Sequence, residues 1–325
     1  MQILPDGLHF PLSFEWNKEA SMEQGIQFGT AIVVGSHVYC RSQNSVHRYD
    51  PASDTWKVLP DVPVTLFSIT SLNGQLVAVG GLDRGSWITI KARTIYAWDG
   101  NSWEWTTLPG NPSLLSGVSR PGCGSYRHYL IVAGGHGSRE YTASVAVLDT
   151  KEGKWYSASP LPETGDVIGA EIVGENLYLL LIQTVFMKTK FILTASMQAL
   201  TTQAKSGENE GSSIWKKLPD IPGYDTTGIF SIGNNMLLAI TIGEGPFQVI
   251  KDSISSILPI THISTDIHIF NPYTKQWMKV GELPEAMVGC ACTMLPSGRL
   301  LVAGGSTVRG GQKPVSSVYT AKICR

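Results

Sequence analysis

The side chains able to do covalent or metal chemistry are few and scattered. His262, Asp266 and His268 stand at offsets of four and six, and even offsets fall on one face of an alternating strand. A metal site needs three or four converging ligands, and nothing else in the sequence is tied to these three. Acid–base work needs paired groups. Glu171 lies in a run that is otherwise small and apolar, and its one conceivable partner is Arg120; such a pair reads as a structural ion pair. Cys290 and Cys292 share a strand face without a nearby histidine and read as buried small residues. Arg309-Gly310-Gly311 has no lysine–serine sequel, so it is turn chemistry and no phosphate cradle. No catalytic residue, metal or cofactor is expected.

Six other residues have the character of contact residues: Arg84, Trp87, His136, Arg139, Phe247 and Arg309. Arginine presents planar, bidentate donors, and exposed aromatic rings supply rigid contact area, the usual make-up of interaction hot spots. They are expected to bind a partner.

The elements that must position them come from a repeat. An acidic or amide residue stands six positions before a tryptophan at Asp50/Trp56, Asp99/Trp105, Asp149/Trp155 and Asn271/Trp277. A constant offset of six suits a tight turn between antiparallel strands, with the Asp or Asn side chain folded onto the turn backbone. Each tryptophan is followed by Leu-Pro or a near relative, at 59–60, 108–109, 161–162, 218–219 and 283–284, and proline marks a strand exit. Two runs separated by a turn come next. The second of these ends in a glycine pair at 80–81, 134–135 and 304–305. A third run then leads back to the Asp or Asn, and helical periodicity is nearly absent. Copies of one supersecondary unit along the chain mean a repeat fold, and four antiparallel strands per copy is the plan of a propeller blade.

Glycine pair, apolar strand ending in Asp, then tryptophan six residues on: this resembles the kelch repeat, and the resemblance covers essentially the whole chain. The expected fold is therefore all-β, a six-bladed kelch-type β-propeller forming a single domain over 1–325. Its blades are expected at approximately 28–60, 66–109, 115–159, 167–219, 226–281 and 288–323. The last set stops after three strands, so the segment 12–18 around Trp16 should complete it, which removes the open sheet edges of a partial ring. The first unit has Cys40-Arg41-Ser42 where the glycine pair is expected, the fourth Leu180-Leu181-Ile182 and the fifth Gly243-Glu244-Gly245, and the register of the fourth is the least determined. Two insertions lengthen the repeat. Thr201 to Ser213 is polar and Gly/Ser-rich, which predicts a disordered loop. Gly243 to Ile263 is apolar enough to pack on something.

Strand alternation assigns the loops to faces. Those joining strands two to three, and strand four to the next blade, share one face, with the six contact residues and the 243–263 insertion. The 201–213 segment falls on the other. By resemblance, the first face is the one kelch substrate receptors of cullin-3 ubiquitin ligases use. The BTB and BACK segments that dock a cullin are missing from this sequence, so ligase membership is expected only within a larger chain or complex. Kelch proteins that help form nitriles bind iron through a Glu-x3-Asp-x3-His run, which does not occur here. Copper oxidases of similar fold need a Tyr–Cys pair and two histidines, and secretion signals are missing.

Composition narrows the partner. Among 325 residues, 42% are hydrophobic and 16% charged, with net charge −1 and pI about 6.7, so no electrostatic footprint for nucleic acid or anionic membrane is present. The longest apolar run, Leu177 to Ile182, is too short to span a bilayer. Five cysteines without a CxxC pair point to free thiols in a reducing, cytoplasmic setting, and the first twenty residues read as no signal peptide. The expectation is an intracellular protein-interaction module, a scaffold or substrate receptor that recognises a peptide or loop of a partner protein. The competing class is an enzyme working in the propeller channel, either epimerase-like or metal-dependent.

Overall fold

The computed structural model describes residues 12–27, 29–42, 45–83, 95–105, 118–137, 140–183, 189–207, 214–222, 225–232, 236–242, 265–272, 274–307 and 314–324. Their strands form six four-stranded antiparallel sheets and one two-stranded ribbon, Val64–Thr65 with Leu82–Asp83. The chain divides into two compact units, 30–220 and 1–29 with 221–325.

The first unit holds four blades. Blade 1 is Thr30–Val34, His37–Arg41, Val46–Asp50 and Thr55–Val58. Blade 2 is Ser68–Leu72, Gln75–Val79, Ile95–Trp98 and Trp103–Trp105. Blade 3 is Gly122–Tyr126, Tyr129–Ala133, Val145–Asp149 and Lys154–Ala158. Blade 4 is Asp166–Val173, Asn176–Gln183, Thr189–Ser196 and the short Lys216–Lys217. The first strands of consecutive blades lie side by side. Alternation along each strand sends one set of apolar residues toward the preceding blade and the other toward the next. Leu177, Leu179 and Leu181 thus pack with Ile131, Val145 and Val147 of blade 3. Full burial of each leucine is worth roughly 1.5–3 kcal/mol.

The second unit holds two blades. Blade 5 is Asp225–Ser231, Leu237–Ile242, Thr265–Asn271 and Gln276–Glu282. Blade 6 is Ala291–Met294, Leu300–Ala303 and Val318–Cys324, completed by Ser13–Lys18 from the other end of the chain. Trp16 stands opposite Ala321 and Lys18 opposite Tyr319, so the amino-terminal strand closes the last blade as its sequence implied.

The tryptophan hairpins explain the offset of six. In blades 1, 3 and 5 the Asp or Asn is the last strand residue, paired with the first of the next strand: Asp50 with Thr55, Asp149 with Lys154, Asn271 with Gln276. Four residues turn the chain, the fourth left-handed in each (Asp54, Gly153, Lys275), and the tryptophan lands opposite Tyr49, Leu148 or Phe270. Blade 2 corrects the reading of Asp99/Trp105. There the turn is two residues shorter: Asp99 N–H donates to Ser102 O at 3.2 Å, and Trp103, not Trp105, faces the residue before the aspartate. Trp103 also reaches back to blade 1, its indole N–H donating to Pro60 O at 2.9 Å, as Trp215 of blade 4 does to Ser159 O of blade 3 at 3.0 Å. Each indole therefore ties a blade to the proline-marked exit of the one before.

The expected disordered segment at 201–213 is also corrected. Residues Met197–Ser206 form an α-helix, capped by the Ser196 hydroxyl at Ala199 N–H and by left-handed Gly207, whose N–H donates to Gln203 O at 3.1 Å. Met197, Leu200, Thr201 and Ala204 are buried, at spacings of three, four and seven that make one helical stripe. A window beginning at Thr201 cuts off the two residues that anchor it. Residues 208–213 and the 243–263 insertion lie outside the described residues.

Candidate functional site

Of the six contact residues inferred from sequence, Arg84, Trp87, Arg139, Phe247 and Arg309 lie outside the described residues. His136 is placed. It leaves the second strand of blade 3 and is bridged on both sides, to Ser119 and to Tyr141. Its N–H donates to Ser119 O at 2.9 Å, and Ser119 N–H donates to His136 O at 3.0 Å. The imidazole stands edge-on to Tyr141, with centroids 5.1 Å apart and planes at 88°. Both side chains are half-buried.

Beside Ser119 lies Arg120, which the sequence had paired with Glu171. The carboxylate that Arg120 meets is Asp166, at 3.2 Å from Nη1. The reason is strand length: the first strand of blade 4 begins at Asp166 and that of blade 5 at Asp225, so Glu171 is not the only carboxylate on the first strands. Arg120 takes a left-handed backbone, φ 48°, and its N–H donates at 2.8 Å to the carbonyl of Leu66, itself at φ 55°. For residues with a Cβ this conformation costs roughly 1–2 kcal/mol each, and such strain persists where the surroundings fix it.

A second arginine occupies the same end of the unit. Arg41 ends the second strand of blade 1, largely buried, and donates from Nη2 to the Thr30 hydroxyl at 3.4 Å. Burial, then the like charge of Arg120, holds its pKa down to about 10, against a smaller opposite influence of Cys123. Sequence reasoning noticed Arg41 only as an interruption of the glycine-pair pattern. The Cys123 thiol, pushed up to about 12 by burial, donates to Ile69 O at 3.6 Å. Burial likewise pushes the Cys290 thiol up to about 12. Both are protonated near neutrality and poor nucleophiles.

The His262/Asp266/His268 set resolves differently. His262 is outside the described residues, whereas Asp266 and His268 share a face of blade 5. Lys279 Nζ sits 3.1 Å from Asp266 Oδ2 and 2.7 Å from Glu282 Oε1, and His268 Nδ1 shares a hydrogen bond of 3.2 Å with the Thr241 hydroxyl. Burial lowers the His268 pKa, more than nearby Asp266 raises it. Among the described residues no three metal-ligating side chains converge.

The opposite face of the first unit carries the helix. Lys205 Nζ bonds Asp149 Oδ2 at 2.7 Å and Glu152 Oε1 at 2.8 Å, and lies 5.6 Å from the centre of the Tyr129 ring. Asp149 Oδ1 accepts the Lys151 and Glu152 N–H groups at 2.9 and 3.1 Å. Burial alone raises the Asp149 pKa, but the Lys205 hydrogen bond and the two amides outweigh it and lower it to about 2. A carboxyl depressed from 3.8 stabilises the fold fully above that value and loses its contribution as pH falls toward 2. In acid titrations followed by circular dichroism, Asp149→Asn is expected to flatten the loss of stability between pH 4 and 2; an unchanged slope would remove this latch from the account.

With this geometry in place, residues 118–162 match the Kelch motif, spanning Arg120, His136, Tyr141 and the Asp149 turn of blade 3. Along 94% of its length the chain superimposes on 99% of a solved chain titled "Structure of YjhT", with a TM-score of 0.66 and 16% sequence identity. The fold is that of a six-bladed β-propeller, and its third blade carries a kelch motif. Its sequence is also 26% identical over 175 residues to kelch-like protein 35 of Mus musculus, a match that covers 51% of this chain and 28% of that protein. The aspartate turns, the indole ties and the closing strand are thus working parts of a β-propeller. No helix among the described residues is long and apolar enough to cross a membrane.

Proposed function

We propose that this propeller is a single-domain protein-interaction module, a receptor or scaffold that recognises a peptide or loop of a partner protein. The face concerned carries the loops between strands two and three and between strand four and the next blade. The observation that carries the reading is the cluster at the mouth of blade 3. His136 and Tyr141 stand edge to face on a bridged ladder, next to an arginine whose left-handed backbone bonds the Leu66 carbonyl and whose guanidinium meets Asp166. A rigid aromatic pair beside a positioned guanidinium is contact chemistry, and it sits on loops supported by a stiff scaffold. The match to a kelch-like protein supports a protein partner, and four buried free cysteines (Cys40, Cys123, Cys290, Cys292) suit a reducing, intracellular setting.

Arg84, Trp87, Arg139, Phe247 and Arg309 are proposed to extend the same surface. The test is affinity capture with the intact chain, an Arg120→Ala/Tyr141→Ala variant and an Arg84/Arg139/Arg309 triple alanine variant. A few specific partners are expected to be lost from both variants while thermal melting stays unchanged. Identical captures from all three would remove the proposed face.

A further inference from the structure

The first hairpin of blade 2 turns on the only Asn-Gly pair in the 325-residue sequence, Asn73-Gly74. Leu72 pairs with Gln75, so these two residues make the whole turn. Both have positive φ, 51° at Asn73 and 77° at Gly74, which is the type I′ geometry. Both are exposed, and a Cβ added at Gly74 would meet nothing within 4 Å. The Asn73 amide donates to the Thr150 hydroxyl at 3.5 Å, tying this hairpin to the turn that follows Asp149 in blade 3. Thr150 gives its own hydroxyl proton to His128 O, at 2.7 Å.

We infer that Asn73 is a self-modifying site, converting through a cyclic imide to aspartate and isoaspartate with water as the only co-reactant. The Gly74 nitrogen attacks Asn73 Cγ; its proton and the side-chain amino group leave as ammonia, and a five-membered imide closes. Water then adds to one of the two imide carbonyls. Opening at one gives aspartate, and opening at the other routes the backbone through Cβ. Ring closure requires the Asn73–Gly74 peptide plane to rotate until the nitrogen faces Cγ. A type I′ turn reaches this by one flip to type II′, which keeps φ positive at Asn73 and is the other turn suited to a two-residue hairpin. Gly74 then takes negative φ, which glycine adopts as readily as positive. Leu72 and Gln75 close the hairpin in both turns, so the ladder need not open.

The product differs at a defined contact. A carboxylate has no proton for Thr150, whose hydroxyl already donates to His128, so the tie to blade 3 is lost. The isoaspartate form also adds one backbone atom to a two-residue turn and strains the Leu72/Gln75 pair. The Asp149 turn beside this site is the one that Lys205 of the helix grips. The site therefore lies away from the proposed binding loops, and it stands whether or not that reading holds.

The experiment holds the intact folded chain at pH 7 and at pH 8, beside a synthetic peptide of residues 68–79, and maps both by mass spectrometry over time. The expected result is loss of the parent species to one with an extra negative charge. The mass change of –NH2 to –OH should fall on Asn73, with isoaspartate-specific methyl labelling of the same fragment. Conversion should be several-fold faster at pH 8, because the attacking nitrogen must lose its proton. Asn176 and Asn271 should remain amides, and Asn73→Gln should stay unmodified because its ring would need a sixth member. An Asn73 that persists in the folded chain while the peptide converts would mean that the hairpin locks the turn, and would overturn the site. Equal modification of Asn73, Asn176 and Asn271 would trace the reaction to unfolded chains and overturn it as well.

Discussion

Gly304→Ala is expected to destabilise the protein by about 3–5 kcal/mol, among the largest effects of any single added methyl group. Gly304 has φ 69°, and a Cβ there would stand 2.2 Å from Ile26 Cγ1 and 2.9 Å from the Ile26 carbonyl oxygen. Two costs add: about 1–2 kcal/mol for a left-handed residue with a side chain, and the displacement of a fully buried isoleucine in a close-packed core. Ile26 cannot retreat easily, because its carbonyl accepts the Gly305 N–H at 2.8 Å and its backbone is bridged to Val315. Gly298→Ala is the control. That residue is also left-handed, at φ 78°, but an added Cβ would meet nothing within 4 Å, so only the backbone cost of about 1–2 kcal/mol remains. Urea midpoints of the two variants should differ clearly; equal midpoints would mean that the glycine pair serves the turn alone and not the approach of the amino-terminal segment.

Removing residues 1–18 is expected to lower the melting temperature by about 5–10 °C and to drive aggregation. The deletion strips six paired residues from blade 6 and uncovers the core around Phe14 and Trp16, which pack on the Leu238, Ile267 and Val302 cluster. Their partial burial is worth roughly 3 kcal/mol together, and each kcal/mol shifts the midpoint by about 2–4 °C in a larger domain. The remaining edge, Val318–Cys324, then presents unpaired backbone groups to other molecules. Beyond the deleted strand, Glu19 still accepts a hydrogen bond from the Thr320 hydroxyl, which also receives Arg299 at 3.1 and 2.8 Å. A peptide spanning residues 12–18 should therefore rebind to a preformed edge and restore the midpoint. A truncated chain that melts like the intact one, with no affinity for the peptide, would show that the closing strand is dispensable.

The tryptophan hairpins show how far spacing alone carries and where it stops. Asp50/Trp56, Asp149/Trp155 and Asn271/Trp277 obey one rule because all three use the same four-residue turn. Asp99/Trp105 satisfies the same count by accident, since a shorter turn moves the paired indole to Trp103. Counting residues cannot separate the two cases, because turn length and ladder position trade off. The helix at Met197–Ser206 escaped for a related reason: a polar composition dominates its second half, while the stripe that docks it begins upstream at Met197.

The candidate site was legible in kind more than in detail. His136 was identified from loop position and residue type, and it lies in a built ladder with Tyr141. Arg41 was read as a flaw in the repeat, and Arg120 was assigned the wrong carboxylate. The second reading failed because Arg120 and Asp166 stand 46 positions apart, and neither strand length nor the neighbouring blade's register is encoded locally.

By itself the sequence determined the repeat, the four-strand unit, the count of six and the closure through Trp16, because each follows from local turn chemistry and from the need to cover an open sheet edge. Only the tertiary structure decided which charges meet. Arg120 meets Asp166, and Lys205 locks onto Asp149, because packing the blades side by side brings together groups whose separation along the chain carries no signal.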